Sequence, residues 1–526
     1  MLTLVPKHRI GNYMKGTLNY ISGYFYLVLV AIVLSACGGS KEVSTAIYTV
    51  HDYKTKRNEL VKKNYERRFE GTYTNDSMEI IAGDYFELLK RRQRERIADI
   101  FPNSKHFIDQ RRFINSSPFF ENYIRTLPKG GLLHGHSLNL GDYFWLADTA
   151  TLYQNCYMYT GQDEESTPHG TLKFMKKAPD TKWREVSSLK EILGEDFEEE
   201  IHNSITIGKD DYPYENMRKK YHDCFKRIDG LLRYRPLFKD YIMNMVEGLV
   251  KDGVQYLEFH SSFNGMYDLE RSYQNPEQEM DLYVTIQNKI KRKHPGFDFR
   301  IIYNVSESQA KMTLSEHYKL ALKMYESYPT VLAGFDFATA DYSEDEMDAF
   351  VKTYLEIKAD PYYADIKIPF HFNPKEGDKE LHANIYDAVV MKSKRVGYSY
   401  ELYKYPALLE EIKAYNGVIE VSPISNQVLG YNTNLADHPA ILYINHGYPI
   451  IIGANNKGVM KFDFSHQFYV AAIEWDLDLR GIKKLIMTSL EYANLPDWKK
   501  KDLIDIWKKD WDAYVKKLVD QSSEMF

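Results

Sequence analysis

The sequence predicts an α/β protein: a (β/α)₈ TIM barrel with an N-terminal helical extension and an insertion after its first strand. Two observations predict it. From Gly130 onward, short apolar runs alternate with long amphipathic stretches. There are eight such runs: Gly130–His136, Gly253–His260, Phe299–Val305, Leu332–Ala338, Ile368–Asn373, Arg395–Tyr400, Gly417–Pro423 and Pro449–Asn455. Strands alternating with helices imply a parallel sheet, and eight of them suggest closure. An open doubly wound sheet shares this rhythm, but no glycine-rich phosphate loop follows the first run, which counts against it.

The elements justify themselves in order. Residues 1–37 read as an export signal. Basic Lys7, Arg9 and Lys15 precede the apolar stretch Tyr24–Cys37, which ends in Leu34-Ser35-Ala36-Cys37 ahead of Gly-Gly-Ser-Lys. The apolar run is short for a membrane span of roughly 20 residues, and the small residues before the cysteine suit cleavage. The ending resembles the bacterial lipobox, in which the cysteine is acylated, so Cys37 is the expected lipidation site and the envelope membrane the expected location. Met14 is an alternative start, because residues 14–37 alone make a well-proportioned signal. A plain signal peptide and a buried core helix are the competing readings of the same stretch.

Residues 38–64 read as a tether, 65–126 as a helical extension with a charged, solvated face, and 127–526 as the barrel. Within the barrel, about 155–212 is an insertion, mixed and charged with Gly161, Pro168, Gly170 and Pro179, and Tyr214–Asp252 reads as the first barrel helix. Cys156 and Cys224 stand apart from the signal, and the sequence leaves their pairing open. A net charge of −6 and a pI near 6.3 give no basis for a nucleic-acid partner, which needs basic residues gathered on one face.

Active sites of such barrels sit at the C-terminal strand ends. The first run ends in His134-Gly135-His136, two imidazoles on one side of a strand. The fifth run contributes His371. Neutral imidazoles suit zinc, but the same three histidines serve equally as packing or hydrogen-bonding groups. Tyr143, Phe144, Trp145, Phe259, His260, Phe372 and Tyr398 would lie near the mouth, either to stack on a base or as core.

Leu127-Pro-Lys-Gly-Gly-Leu-Leu-His-Gly-His136 resembles the strand-one signature of adenosine deaminases, especially the secreted growth-factor-type branch. The resemblance continues through Asp252–Glu258, Gly334–Phe337, Val421–Leu429, His438-Pro439 and Gly447–Pro449, over about residues 65–500. It implies a metal-activated water that attacks carbon 6 of a purine nucleoside and releases ammonia, with zinc as cofactor. By this resemblance His134, His136 and His371 match the metal histidines.

The resemblance also exposes departures. The strand-five pattern His-Ala-Gly-Glu reads His371-Phe-Asn-Pro374 here, with proline at the proton donor's place; Glu376, two residues on, is the nearest replacement acid. Tyr398 stands for the water-positioning histidine, and Asn455-Asn456 for the paired aspartates. Leu138 occupies the position of an aspartate that follows the strand-one histidines, and Thr339 that of a purine-contacting glycine. A phenol of ordinary pKa about 10 is a poor base at neutral pH. Loss of one positioned acid or base costs roughly 10²–10⁴ in rate. The sequence therefore predicts a deaminase-like envelope lipoprotein impaired or inactive in deamination, with zinc weakly held or absent. The alternatives are an active purine deaminase or related hydrolase with a rebuilt site, and a non-catalytic scaffold.

Acylation is directly testable. Cys37→Ala is expected to release the protein from the membrane fraction or to block its maturation; a variant that matures and fractionates as wild type does removes the anchor.

Overall fold

In the computed structural model, the structure describes residues 49–68, 76–101, 106–164, 166–305, 312–336, 343–362, 368–372, 384–397 and 399–524. The chain divides into two units, Met1–Tyr65 and Glu66–Phe526. Cys37 lies outside the described residues. Of the first unit, the structure describes the start of a helix running Val50–Arg68, whose described side chains are exposed apart from half-buried Asp52. The expected tether is thus helical over part of its length.

In the second unit, helices Ser77–Ile100 and Phe107–Asn115 and a π-helical turn Phe120–Ile124 form the N-terminal extension. The barrel begins with β1 (Gly130–Leu132), then opens into the insertion. There β2 (Cys156–Tyr159), β3 (Leu172–Phe174) and β4 (Trp183–Glu185) make an antiparallel sheet in the order β3-β2-β4, followed by helices Val186–Leu193 and Glu195–Ser204. Cys156 and Cys224 are buried free thiols, so the question of their pairing is answered.

The expected helix Tyr214–Asp252 is two helices, Tyr214–Leu232 and Arg235–Lys251. Pro236 explains the break: it lacks an N–H to continue a helix but is well placed in the first turn of a new one. The first of the pair packs on the insertion, where Gly230 lies so close to the Leu172 carbonyl that a Cβ would collide with it. The second leads into β5 (Val254–Ser261) through Gly253, whose φ of +81° favours glycine.

A hairpin of β6 (Met266–Tyr267) and β7 (Ser272–Tyr273) follows, then β8 (Asp298–Asn304), β9 (Leu332–Asp336), β10 (Phe370–Phe372), β11 (Arg395–Val396), β12 (Val418–Val421) and β13 (Ile450–Ile452). The barrel strands lie in the order β1-β5-β8-β9-β10-β11-β12-β13, all parallel. The first and last are brought together where the Ala454 N–H donates to the His134 carbonyl at 3.2 Å. All eight apolar runs are strands, several shorter than the run. The sixth ends at Val396, and Ser399–Lys404 is a 3₁₀ helix, not the strand expected through Tyr400.

The C-terminal helix Asp497–Ser523 packs against the helix Ser77–Ile100 and reaches the chain just ahead of β1. Trp507 is 1% exposed, donates its indole N–H to the Pro128 carbonyl at 2.9 Å and stacks on Trp511. Trp507→Ala is expected to cost about 3–5 kcal/mol, read as a lower denaturant midpoint; an unchanged midpoint would show that this helix does not support the barrel.

Candidate functional site

The strand-one histidines stand at the C-terminal mouth of the barrel. His134 is 2% exposed and its Nδ1 lies 2.7 Å from Glu420 Oε2 on β12. A carboxylate only accepts, so Nδ1 carries the proton and the lone pair is on Nε2, the arrangement typical of a metal-ligating histidine. His136 is half-buried, with its ring centroid 6.1 Å from that of His134. A bridge between His136 and His260 extends the β1–β5 pairing up to the mouth.

Below the histidines lies a charge network. Arg395 donates from Nη1 to Glu258 Oε2 at 2.6 Å and from Nη2 to the Leu133 carbonyl at 3.2 Å. Its Nε approaches Glu420 Oε1 at 3.0 Å, an ion-pair contact off the hydrogen-bonding line. Glu258 also accepts from the Tyr256 hydroxyl at 2.8 Å and the Asn494 N–H at 2.6 Å. Arg395, Glu258 and Glu420 are all buried. Burial opposes the guanidinium's charge, but Glu258 and Glu420 outweigh it and hold the pKa above its ordinary value.

His260 belongs to neither group. Its Nδ1 faces the Gly135 carbonyl at 3.1 Å and its Nε2 faces Asp336 Oδ2 at 3.3 Å. Both ring nitrogens meet acceptor atoms, so the ring clamps β1 to β9.

Asn455 and Asn456 are buried in a neutral amide network. Asn139 Nδ2 donates to Asn456 Oδ1 at 2.9 Å and to Asn455 Oδ1 at 3.3 Å, and the Tyr221 hydroxyl donates to Asn456 Oδ1 at 2.8 Å. Asn456 has a φ of +69°, a left-handed conformation that asparagine tolerates better than most residues. Its carbonyl is thus committed to two donors.

His371 sits on β10 with its backbone in register with Asp336 and Arg395; its side chain, with Pro374, Glu376, Tyr398 and Thr339, lies outside the described residues. Among the described residues no group of three or more histidine, cysteine, aspartate or glutamate side chains could hold a metal ion. What is described at the expected metal position is two imidazoles and neutral amides.

A cavity of about 600 Å³ opens at this end of the barrel, a size that suits a small organic ligand. His136, Asn139, His260 and Asn304 line it from the strand ends, Tyr221, Phe225 and Phe238 supply aromatic faces, and Glu279 reaches it from the helix Pro276–Lys293. Phe372 and Tyr398 lie outside the residues whose side chains are described, and of the other five residues expected at the mouth only His260 lines it. Tyr143 is core, its hydroxyl donating to the Leu138 carbonyl, and Phe259 packs on Phe299. A second cavity of about 230 Å³ lies at the strand starts, against Gly417 and Ile450, where this fold keeps structural residues.

Sequence reasoning missed two acids. Glu420 was signalled by a lone charge inside the apolar run Val418-Ile-Glu-Val421. Glu279 had no signal, since an acid in a helix's first turn is ordinary. Burial pushes the Glu279 carboxyl up to about 8, against the pull of Arg233 and Arg235.

Comparisons with known proteins agree on kinship. The family model described as adenosine deaminase matches residues 188–509. The chain is 27% identical over 485 residues to adenosine deaminase 2 of Homo sapiens, covering 87% of this chain and 92% of that protein. It is 24% identical over 498 residues to adenosine deaminase 2 of Dictyostelium discoideum, covering 93% and 91%. The apo N6-methyl-AMP deaminase of Arabidopsis thaliana shares the fold at a TM-score of 0.51, with 15% identity over 74% of this chain and 98% of that one. An Arabidopsis ADAL complexed with IMP aligns at 0.50, with 16% identity over 74% and 99%.

The Arg395 network is a test of the site's foundation. Arg395→Met leaves Glu258 and Glu420 buried without their counter-ion and is expected to cost about 3–5 kcal/mol, measured by urea denaturation. A cost under about 1 kcal/mol, the value of a surface pair, would mean the network is not what holds these strands.

Proposed function

Because this chain belongs to the adenosine deaminase family, we propose that it is a nucleoside-binding member whose deamination is largely lost, exported and held at the cell envelope by a lipid on Cys37. The observation that carries the loss is the state of Asn455 and Asn456. At the positions where the family resemblance expects carboxylates, these amides are hydrogen-bonded to Asn139 and Tyr221 and offer no charge to a metal or a hydroxide. Neutral amide oxygens are weak ligands for transition metals, so zinc is held weakly or not at all. Pro374 and Tyr398 replace an acid and a base in the sequence, and losses within one catalytic unit leave little of its rate even when they do not add.

Binding rests on separate support. The cavity of about 600 Å³ accommodates a nucleoside, with aromatic faces at Tyr221 and Phe225 for a base. A fold neighbour was crystallised with IMP. Lipidation rests on the run ending at Cys37.

One observation favours a second reading, an enzyme with a rebuilt site. Glu420 holds His134 as a metal-ligating histidine is held, and Glu376 would then be the first candidate for proton transfer.

Adenosine incubated with the purified protein and added zinc decides between the two. We expect no conversion to inosine by ultraviolet absorbance, and a metal content well below one equivalent that vanishes in His134→Ala. Turnover at about 1–10³ per second, abolished by His371→Ala, would overturn the inactive reading.

A further inference from the structure

The deep acids of the second unit share a property that one of them lacks. Asp252 accepts from the Ser465 backbone N–H at 2.9 Å and from its hydroxyl, and lies 3.8 Å from Lys129. Glu258 and Glu420 hold Arg395, and Asp336 faces His260. Glu279, also among the buried acids and only 7% exposed, has neither a hydrogen bond nor an ion pair among the described residues. Arg233 and Arg235 act on it only at longer range: Arg233 is committed to the Gly265 carbonyl and Asp229, and Arg235 lies over the Tyr273 ring. A buried carboxyl that no described residue partners costs free energy unless it opens onto other donors, and the Glu279 oxygens are not among the fully enclosed unpartnered atoms.

Glu279 lines the mouth cavity from the helix Pro276–Lys293, so a ligand that fills that space can supply the partner that the described residues do not. The cavity also presents Lys226 and Arg233, which disfavour a cation, and Asp229, which disfavours an anion. Neutral hydroxyls meet neither objection. They donate to a carboxylate and also accept from a carboxylic acid, so they match Glu279 in either protonation state.

We propose that Glu279 is a specificity-determining residue that accepts hydrogen bonds from a vicinal diol, such as the 2′- and 3′-hydroxyls of a ribonucleoside. The inference rests on the nucleoside-binding reading above.

Isothermal titration of the mature protein with adenosine and 2′,3′-dideoxyadenosine tests it. Wild type is expected to prefer adenosine by roughly ten- to a hundredfold, the worth of hydrogen bonds to an ionisable group. Glu279→Ala is expected to bind both about equally, and Glu279→Gln, which keeps the shape, to fall between. Thermal melting of the unliganded protein separates this from a structural role: Glu279→Leu loses no partner and should melt no lower than wild type. A clear fall in melting temperature, or discrimination that survives in Glu279→Ala, overturns the inference. Wild type that binds both ligands equally also overturns it while leaving nucleoside binding intact. Wild type that binds neither removes the nucleoside-binding reading and this inference with it.

Discussion

A single guanidinium inside the barrel sets the conditions for everything above it. Arg395 enters on β11, reaches Glu258 on β5 and Glu420 on β12, and touches the backbone just before His134 on β1. Four strands that are not all neighbours are thereby tied to one side chain. Besides facing the guanidinium, Glu420 also accepts from the His134 ring. Desolvating three charges is expensive, and apolar residues would often serve stability as well. What the network supplies here is placement: it fixes the orientation of the histidine that stands at the mouth.

Above this charged base, the chemistry turns neutral. Asn139, Asn455, Asn456 and Tyr221 satisfy one another with hydrogen bonds, and the Gly458 N–H donates to the Asn139 carbonyl at 2.8 Å. The loop after β13 therefore keeps a defined shape, including the left-handed turn at Asn456, without a carboxylate. Shape and charge have separated. The mouth thus pairs a lower shell that orients an imidazole with a neighbouring shell of neutral amides that hydrogen-bond one another.

Much of this was legible before any coordinates, and the limits have physical causes. Parallel barrel strands are buried on both faces, so each announces itself as an apolar run, and all eight runs fell on strands. Their ends were less visible. Arg395–Tyr400 reads as continuous, yet the strand stops at Val396, because a chain leaving the sheet needs no change of composition. The break between Leu232 and Arg235 hid behind a proline that is as natural in a helix's first turn as after its end. The histidines of strand one were found by spacing, since period two puts i and i+2 on one side. Partners were not: that His134 would pair with Glu420, nearly three hundred residues on, is a property of closure. Tyr143 and Phe259 face the core and not the mouth for a related reason, since apolarity does not distinguish a ring facing a ligand from one facing the core.

The charged floor, the amide network beside it and the mixed charges of the cavity wall together constrain what can occupy the mouth. A metal ion would find imidazole nitrogen oriented by a carboxylate on one side and amide oxygens already committed to donors on the other. A charged organic ligand would meet both Lys226 and Asp229 with no net gain. A neutral ligand with a flat, polarisable part and several hydroxyls encounters neither penalty: rings at Tyr221 and Phe225 take the flat part, and amides, serines and the Glu279 carboxyl exchange hydrogen bonds with the rest. On the proposed reading, loss of the catalytic charges and retention of such a cavity are compatible. Removing carboxylates from a metal site takes away the driving force for ionising a water. It leaves untouched, and in a neutral amide network even makes more uniform, the hydrogen-bonding surface that a nucleoside requires.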